Sequence, residues 1–200
     1  MKLRGLYAIT PELTDGEALL RQVAQALEGG IAMLQYRRKT GQNAQEARAL
    51  AALCRASGVP FVVNDDLDIA LAAGADGVHL GREDGDAAAA RVKLKGKLLG
   101  VSCYASLDAA RAAAAAGADY VAFGSVFPST TKPSALRAPH SLFGDARAFG
   151  LPLVAIGGIT LENAPQLLQA GADALAVVSD LFEAPDIAGR ARAYGKLFQP

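Results

Sequence analysis

Most side chains in this sequence that could do chemistry stand directly after short apolar runs. The densest group, Gln35-Tyr36-Arg37-Arg38-Lys39, closes the run Ala32-Met33-Leu34. In extended backbone, Gln35, Arg37 and Lys39 share one face and Tyr36 and Arg38 the other. One amide and two cations then point the same way. A solvated strand end would account for Arg38 and Lys39 equally well, but a glutamine inside an apolar run needs hydrogen-bond partners.

Two acidic groups follow, Asn64-Asp65-Asp66 and Gly81-Arg82-Glu83-Asp84. Carboxylates on neighbouring loops could share a hard cation. Mg2+ is usually held by one or two carboxylates together with substrate phosphate oxygens, and Asp65 with Asp84 would serve. Helix capping is the competing use, by Asp65 or Asp66 in one loop and by Asp84 or Asp86 in the next. Each loop offers two acids, so capping by one leaves the other.

Ser102-Cys103-Tyr104 offers a hydroxyl without the elbow motif of a nucleophile, which suggests a hydrogen-bonding role. The segment Phe127-Pro128-Ser129-Thr130-Thr131-Lys132-Pro133, running on to about Pro139, could cradle an anion or serve as a plain connection. The pair Gly157-Gly158 before Ile159-Thr160, together with Val178-Ser179, suits close approach of backbone N–H groups to a phosphate. His79 and His140 have no acid, base or cysteine nearby in sequence and read as structural. The tally of Arg37, Lys39 and Lys132 against Asp65 and Asp84 would be balanced by one diphosphate and one divalent cation.

The elements that must carry these groups are marked by a repeat. Ala73-Gly74-Ala75-Asp76, Ala116-Gly117-Ala118-Asp119 and Ala170-Gly171-Ala172-Asp173 each close an Ala/Leu-rich stretch and open an apolar one. The glycine suits the left-handed residue just past a helix. With that punctuation, strands fall near Gly5 to Thr10, Ala32 to Arg37, Phe61 to Asn64, Gly77 to Leu80, Leu98 to Ser102, Tyr120 to Val126, Leu153 to Gly157 and Ala174 to Val178. Helical periodicity lies between them, as in Asp15 to Leu27 and Ala44 to Ala56. Doubly buried strands with short right-handed crossovers give a parallel sheet, and eight units favour closure into a single (β/α)8 TIM barrel over residues 1–200. An open doubly wound sheet is the alternative, but Thr10-Pro11-Glu12-Leu13 stands where its Gly-rich fingerprint would be. In a barrel, all the polar groups above gather at the C-terminal ends of the strands.

Composition narrows the partners. With 20 Lys plus Arg and 20 Asp plus Glu, no overall field favours nucleic acid or an anionic membrane. Cys54 and Cys103 form no CxxC pair, no signal peptide is legible, and no run of about 20 uncharged apolar residues could span a bilayer. A cytoplasmic enzyme acting on small molecules is expected, with a homo-oligomer left open.

The ordered set Gln35-x-Arg37-x-Lys39, Asn64-Asp65-Asp66, Gly81-x-Glu83-Asp84, Gly100-Val101-Ser102, Pro128-Ser129-x-Thr131-Lys132-Pro133 and Gly157-Gly158-Ile159-Thr160 resembles the thiamine phosphate synthase family over nearly the whole chain. The resemblance implies a transferase that joins 4-amino-2-methyl-5-hydroxymethylpyrimidine diphosphate to 4-methyl-5-hydroxyethylthiazole phosphate, or its carboxylated form, releasing pyrophosphate. It implies that Arg37, Lys39, Asn64 and Lys132 hold the diphosphate, that Asp65 and Asp84 bind Mg2+, and that Gln35 and Ser102 contact the aminopyrimidine. Ser129, Thr131, Gly157 or Gly158, Val178 and Ser179 would grip the thiazole phosphate. Arg37, Lys39, Lys132 and Ser102 would be the catalytic groups.

Three positions depart from the family pattern. Ser129 stands where threonine is commoner, Arg38 replaces a usual acid on the face opposite Arg37, and Asp180 follows Ser179 where a small neutral residue is usual. Strand alternation would turn Asp180 away from the phosphate. The implied reaction is dissociative and needs no general base, which suits a site lacking a positioned His or Cys. Two other functions are weighed against it: a thiazole tautomerase on the same barrel, which would not need the diphosphate set, and a non-catalytic phosphate-ligand binder. Other phosphate-binding barrels, of the indole-glycerol or pentose phosphate kind, fit the acid pair poorly.

Overall fold

Apolar runs too short to be anything but strands alternate with amphipathic helices along the whole chain, and the strands close on themselves. In a computed structural model that describes residues 3–12, 15–81, 85–128 and 137–199, eight strands follow one another around a closed barrel. They are β1 Gly5–Ile9, β2 Met33–Tyr36, β3 Phe61–Asn64, β4 Gly77–Leu80, β5 Leu98–Tyr104, β6 Tyr120–Gly124, β7 Leu153–Ile156 and β8 Ala174–Val177. All pairings are parallel, and β8 returns to β1 through Gly5 opposite Ala174. The helices are α1 Gly16–Glu28, α2 Ala44–Ala56, α3 Leu67–Ala73, α4 Ala87–Leu94, α5 Leu107–Ala115, α6 Ser141–Ala146 and α7 Ala164–Ala170, with α8 Ser179–Phe182 and α9 Ile187–Lys196 after the last strand.

All eight expected strands are present. Those expected to run to Thr10, Arg37, Val126, Gly157 and Val178 stop sooner, at Ile9, Tyr36, Gly124, Ile156 and Val177, while β5 continues to Tyr104 past an irregularity in its pairing with β6 between Ser102 and Tyr104. Helix starts are fixed by side chains that accept an otherwise orphan backbone N–H. Asp15, Asn43, Asp66, Asp86, Ser106 and Asp186 cap α1, α2, α3, α4, α5 and α9 in this way, each worth about 1 kcal/mol.

The repeated aspartates do more than turn the chain. Asp76, Asp119 and Asp173 each accept the N–H of a residue at the start of the preceding odd-numbered strand, from Phe61 at 2.9 Å, Leu99 at 2.8 Å and Leu153 at 2.9 Å. Their own N–H groups donate to the carbonyls of the same three residues at 2.8 Å. Each repeat is thus a two-way clamp at the N-terminal mouth of the barrel. Arg91 and Arg147 add ion pairs to Asp119 at 2.9 Å and Asp173 at 2.8 Å. Gly74, Gly117 and Gly171 take the left-handed conformation the punctuation requires, with φ of 69°, 83° and 108°.

Two apolar layers result. Outward residues such as Leu34, Val63 and Leu175 pack against the helices, and a smaller inner cluster around Tyr7, Met33, Val62, Tyr120 and Val154 fills the barrel. Among the described residues no helix is long and apolar enough to cross a membrane. Cys54 and Cys103 are both buried free thiols, and burial pushes each up to about 12.

Candidate active site at the C-terminal mouth

Strand ends converge on a cavity of about 650 Å³ bordered by Gln35, Arg37, Asn64, Asp65, Ser102 and the 157–160 turn, a size suited to a small-molecule site. Ile9, Ala122, Ile156 and Ala176 add apolar surface to its lining. A second, shallower cavity of about 450 Å³ adjoins it, bordered by Arg38, Lys39, Asn64, Asp65 and Lys93. Asn64 and Asp65 border both.

The cationic end of β2 is therefore divided between two cavities. Arg37 lines the larger one, its backbone held on both sides by Thr10, whose hydroxyl accepts from Arg37 N at 2.9 Å and donates to Arg37 O at 3.0 Å. Lys39 was expected on the same face, but β2 ends at Tyr36, so alternation no longer governs it. Lys39 is exposed and lines the shallower cavity, its backbone N–H donating to Glu12. Arg38 faces away from Arg37 as expected, in an ion pair of 2.8 Å with Glu46 of α2, whose other oxygen accepts from Tyr36 Oη at 2.5 Å.

Capping takes up one aspartate of each acidic segment. Asp66 caps α3 by accepting from Ile69 N at 2.8 Å, and Asp86 caps α4 by accepting from Ala88 N at 2.9 Å. Asp65 is left on the cavity wall at φ 64°, a conformation uncommon for a residue with a Cβ, with its N–H donating to His79 O at 2.8 Å. Glu83 and Asp84 lie outside the described residues, as do Ser129, Thr131 and Lys132. Asp65 is a hard carboxylate donor bordering both cavities. That donor chemistry fits Mg2+ shared with phosphate oxygens.

Gly157 and Gly158 both have positive φ, 104° and 65°, and line the larger cavity with Val178 and Ser179. Packing makes them glycines as much as any ligand does. A Cβ on Gly157 would lie 2.2 Å from Ser125 Oγ, and one on Gly158 would lie 2.1 Å from the Pro128 carbonyl oxygen. Asp180 does not turn away. The strand stops at Val177 and Ser179 opens a helical turn, so Asp180 lines the cavity. Its charge is matched there by Arg190 Nη1, 3.1 Å from each carboxylate oxygen, and by Tyr194 Oη donating at 2.7 Å.

Sequence reasoning missed the deepest layer of the site. His79 was expected to be structural and Ser102 to have a hydrogen-bonding role outside any elbow motif; His79 lines the cavity with Nε2 2.9 Å from Ser102 Oγ. His79 Nδ1 lies 3.1 Å from Tyr120 Oη, which is 2.7 Å from Tyr7 Oη, which accepts from Gln35 Nε2 at 2.7 Å. Burial holds the Tyr7 and Tyr120 hydroxyls well above the usual phenol range. The signal was present: Tyr7, His79 and Tyr120 share the inward phase of their strands, and the argument that Gln35 needs partners applied equally to them. His140 stacks edge-on against Phe127 with ring centres 5.3 Å apart and does not line the cavity.

Comparison with known proteins places the chain among close relatives. A model of the thiamine monophosphate synthase family matches residues 6–181. The chain is 59% identical to the thiamine-phosphate synthase of Aromatoleum aromaticum, covering 98% of this chain and 97% of the relative. It is 57% identical to that of Thiobacillus denitrificans, covering 97% and 94%. Among solved structures, a thiamine phosphate pyrophosphorylase from Pyrococcus furiosus superposes with a TM-score of 0.87 at 34% identity, covering 98% of this chain and 96% of that one. A closed eight-stranded barrel and near full-length likeness converge on one assignment: the chain belongs to the thiamine monophosphate synthase family.

Proposed function

We infer that the protein condenses 4-amino-2-methyl-5-hydroxymethylpyrimidine diphosphate with 4-methyl-5-hydroxyethylthiazole phosphate, or its carboxylated form with added loss of CO2, to give thiamine phosphate and pyrophosphate. The observation that carries this inference is the single cavity bordered by Gln35, Arg37, Asn64, Asp65, Ser102, the Gly157-Gly158 turn and Ser179. Its lining combines charged, amide and hydroxyl groups with apolar Ile9, Ala122, Ile156 and Ala176, which suits substrates that carry both phosphates and rings.

In the reaction the bond between the pyrimidine methylene and the diphosphate oxygen breaks, and its electron pair leaves with the diphosphate. The thiazole nitrogen then donates its lone pair to the methylene carbon. That nitrogen carries no proton, so no base is needed. Arg37, Lys39 and Lys132 meet the charge that grows on the leaving group, and Asn64 hydrogen-bonds it. Gln35 and Ser102 orient the aminopyrimidine. Ser129, Thr131, Val178, Ser179 and the backbone at Gly157 and Gly158 hold the thiazole phosphate, aligning the two rings. Asp65 and Asp84 would hold Mg2+, which when bound neutralises diphosphate charge.

The family match and the near full-length relatives support a synthase over a tautomerase or a silent binder. Pyrophosphate release measured with both substrates decides the matter. It is expected to require both, and to fall when Mg2+ is chelated. Turnover of the thiazole substrate alone, or stabilisation by thiamine phosphate without pyrophosphate release, would overturn the inference. The buried free thiols and uncharged net balance suit a cytoplasmic enzyme.

A further inference from the structure

Barrel interiors of this kind are normally filled by branched aliphatic side chains. Here the centre carries a continuous polar chain, Gln35–Tyr7–Tyr120–His79–Ser102, with links of 2.7, 2.7, 3.1 and 2.9 Å. Gln35, Tyr7, Tyr120 and His79 are 2%, 1%, 0% and 6% exposed, so no hydroxyl in the middle can exchange its partner for bulk water. The neighbouring strand is carved to fit. A Cβ on Gly100 would lie 2.1 Å from Tyr120 Cζ and 2.2 Å from its hydroxyl oxygen. The Tyr120 ring stacks on His79 at 26° and meets Tyr7 edge-on at 79°.

Each buried hydroxyl has one proton and two partners in this chain, which couples the direction of every link. Gln35 donates through Nε2 to Tyr7 Oη. Tyr7 then has its own proton to give to Tyr120, and Tyr120 gives its proton to His79 Nδ1. The imidazole proton therefore sits on Nε2 and is donated to Ser102 Oγ. Ser102 keeps its hydroxyl proton for the cavity, and Gln35 keeps Oε1 as its acceptor. Both ends line that cavity.

We propose that Tyr7, Tyr120 and His79 are positioning residues forming a polarity relay, which makes the site accept a ring presenting a donor to Gln35 and an acceptor to Ser102. A neutral aminopyrimidine edge has that pattern; the corresponding oxo-pyrimidine, with a carbonyl and a ring N–H, has it reversed and is rejected. A site whose buried groups would be left mispaired discriminates strongly. The relay rests on the assignment of Gln35 and Ser102 to the aminopyrimidine under Proposed function.

Two measurements test it. In the free full-length protein, 15N-resolved NMR of the imidazole, with His140→Gln identifying the signal, is expected to find His79 protonated on Nε2; protonation on Nδ1 would overturn the relay. Tyr120→Phe, which removes one oxygen, is expected to lower kcat/KM for the aminopyrimidine diphosphate about tenfold and its preference over the oxo analogue by a similar factor. The KM for thiazole phosphate should stay within about twofold. Unchanged preference in a folded Tyr120→Phe protein would reduce the chain to core packing. Should that variant not fold, Tyr7→Phe carries the same test. The tautomer is read without substrate, so a protein that fails to use the pyrimidine diphosphate refutes the synthase assignment separately from the relay.

Discussion

At the N-terminal mouth of the barrel, one tetrapeptide places three aspartates that clamp three strands in the same way. At the C-terminal mouth, Gln35, Asp65, Ser102 and the Gly157-Gly158 turn each come from a different loop or strand end and each appears once. The first mouth is a stability device and can be copied, because its partners lie within one αβ unit and its neighbour. The second assembles residues far apart in sequence and can only be specified piece by piece. Changes at the two ends should therefore separate: folding should suffer at one and catalysis at the other.

The largest separation is expected at Arg37. Arg37→Ala should lower turnover at least 10²-fold, on the order of 3 kcal/mol, by removing a cation from the departing diphosphate. Its melting temperature should hardly move, since Thr10 binds the Arg37 backbone, which the substitution leaves in place. Lys132→Ala should match it in turnover. Steady-state kinetics beside thermal melts checks both, and near-normal turnover in both variants would remove the cationic clamp from the mechanism.

Asp119→Ala probes the opposite mouth. It strips the acceptor from Leu99 N–H and from Arg91 at once. A loss of about 2 kcal/mol is expected, with a melting temperature lower by roughly 4–8 °C. Activity per folded molecule should remain near wild type. A deep catalytic defect without loss of stability would break the division between the two ends.

That division also governs what the sequence discloses. Asp76, Asp119 and Asp173 advertise themselves through local repetition, and the glycines beside them through the backbone they require, so eight strands and their order were legible. Asp65 and Asp66 were legible as a pair but not individually, because capping is decided by backbone direction at a helix start. Lys39 and Asp180 were misplaced for one reason: each lies just past a strand end, where alternation of period two gives way to loop or helical turn. His79 was missed because its partners, Ser102 and Tyr120, are 23 and 41 residues away and meet only when the barrel closes.

Asp180 gives the finest test of how the C-terminal mouth tolerates a carboxylate near the proposed phosphate site. Arg190 neutralises it across two 3.1 Å contacts while Tyr194 donates to it at 2.7 Å. Arg190 also lines the cavity, so its charge is at present spent internally. Asp180→Asn keeps an oxygen for Tyr194 and releases the guanidinium's charge toward the cavity. The KM for thiazole phosphate is expected to fall about fivefold, near 1 kcal/mol, as for a partly exposed charge pair. The KM for the pyrimidine diphosphate should stay constant. A rise in thiazole phosphate KM would instead mean that the Asp180–Arg190 pair holds α8 in the shape the phosphate requires, and that here, unlike at Arg37, the chemistry of the mouth depends on a structural ion pair.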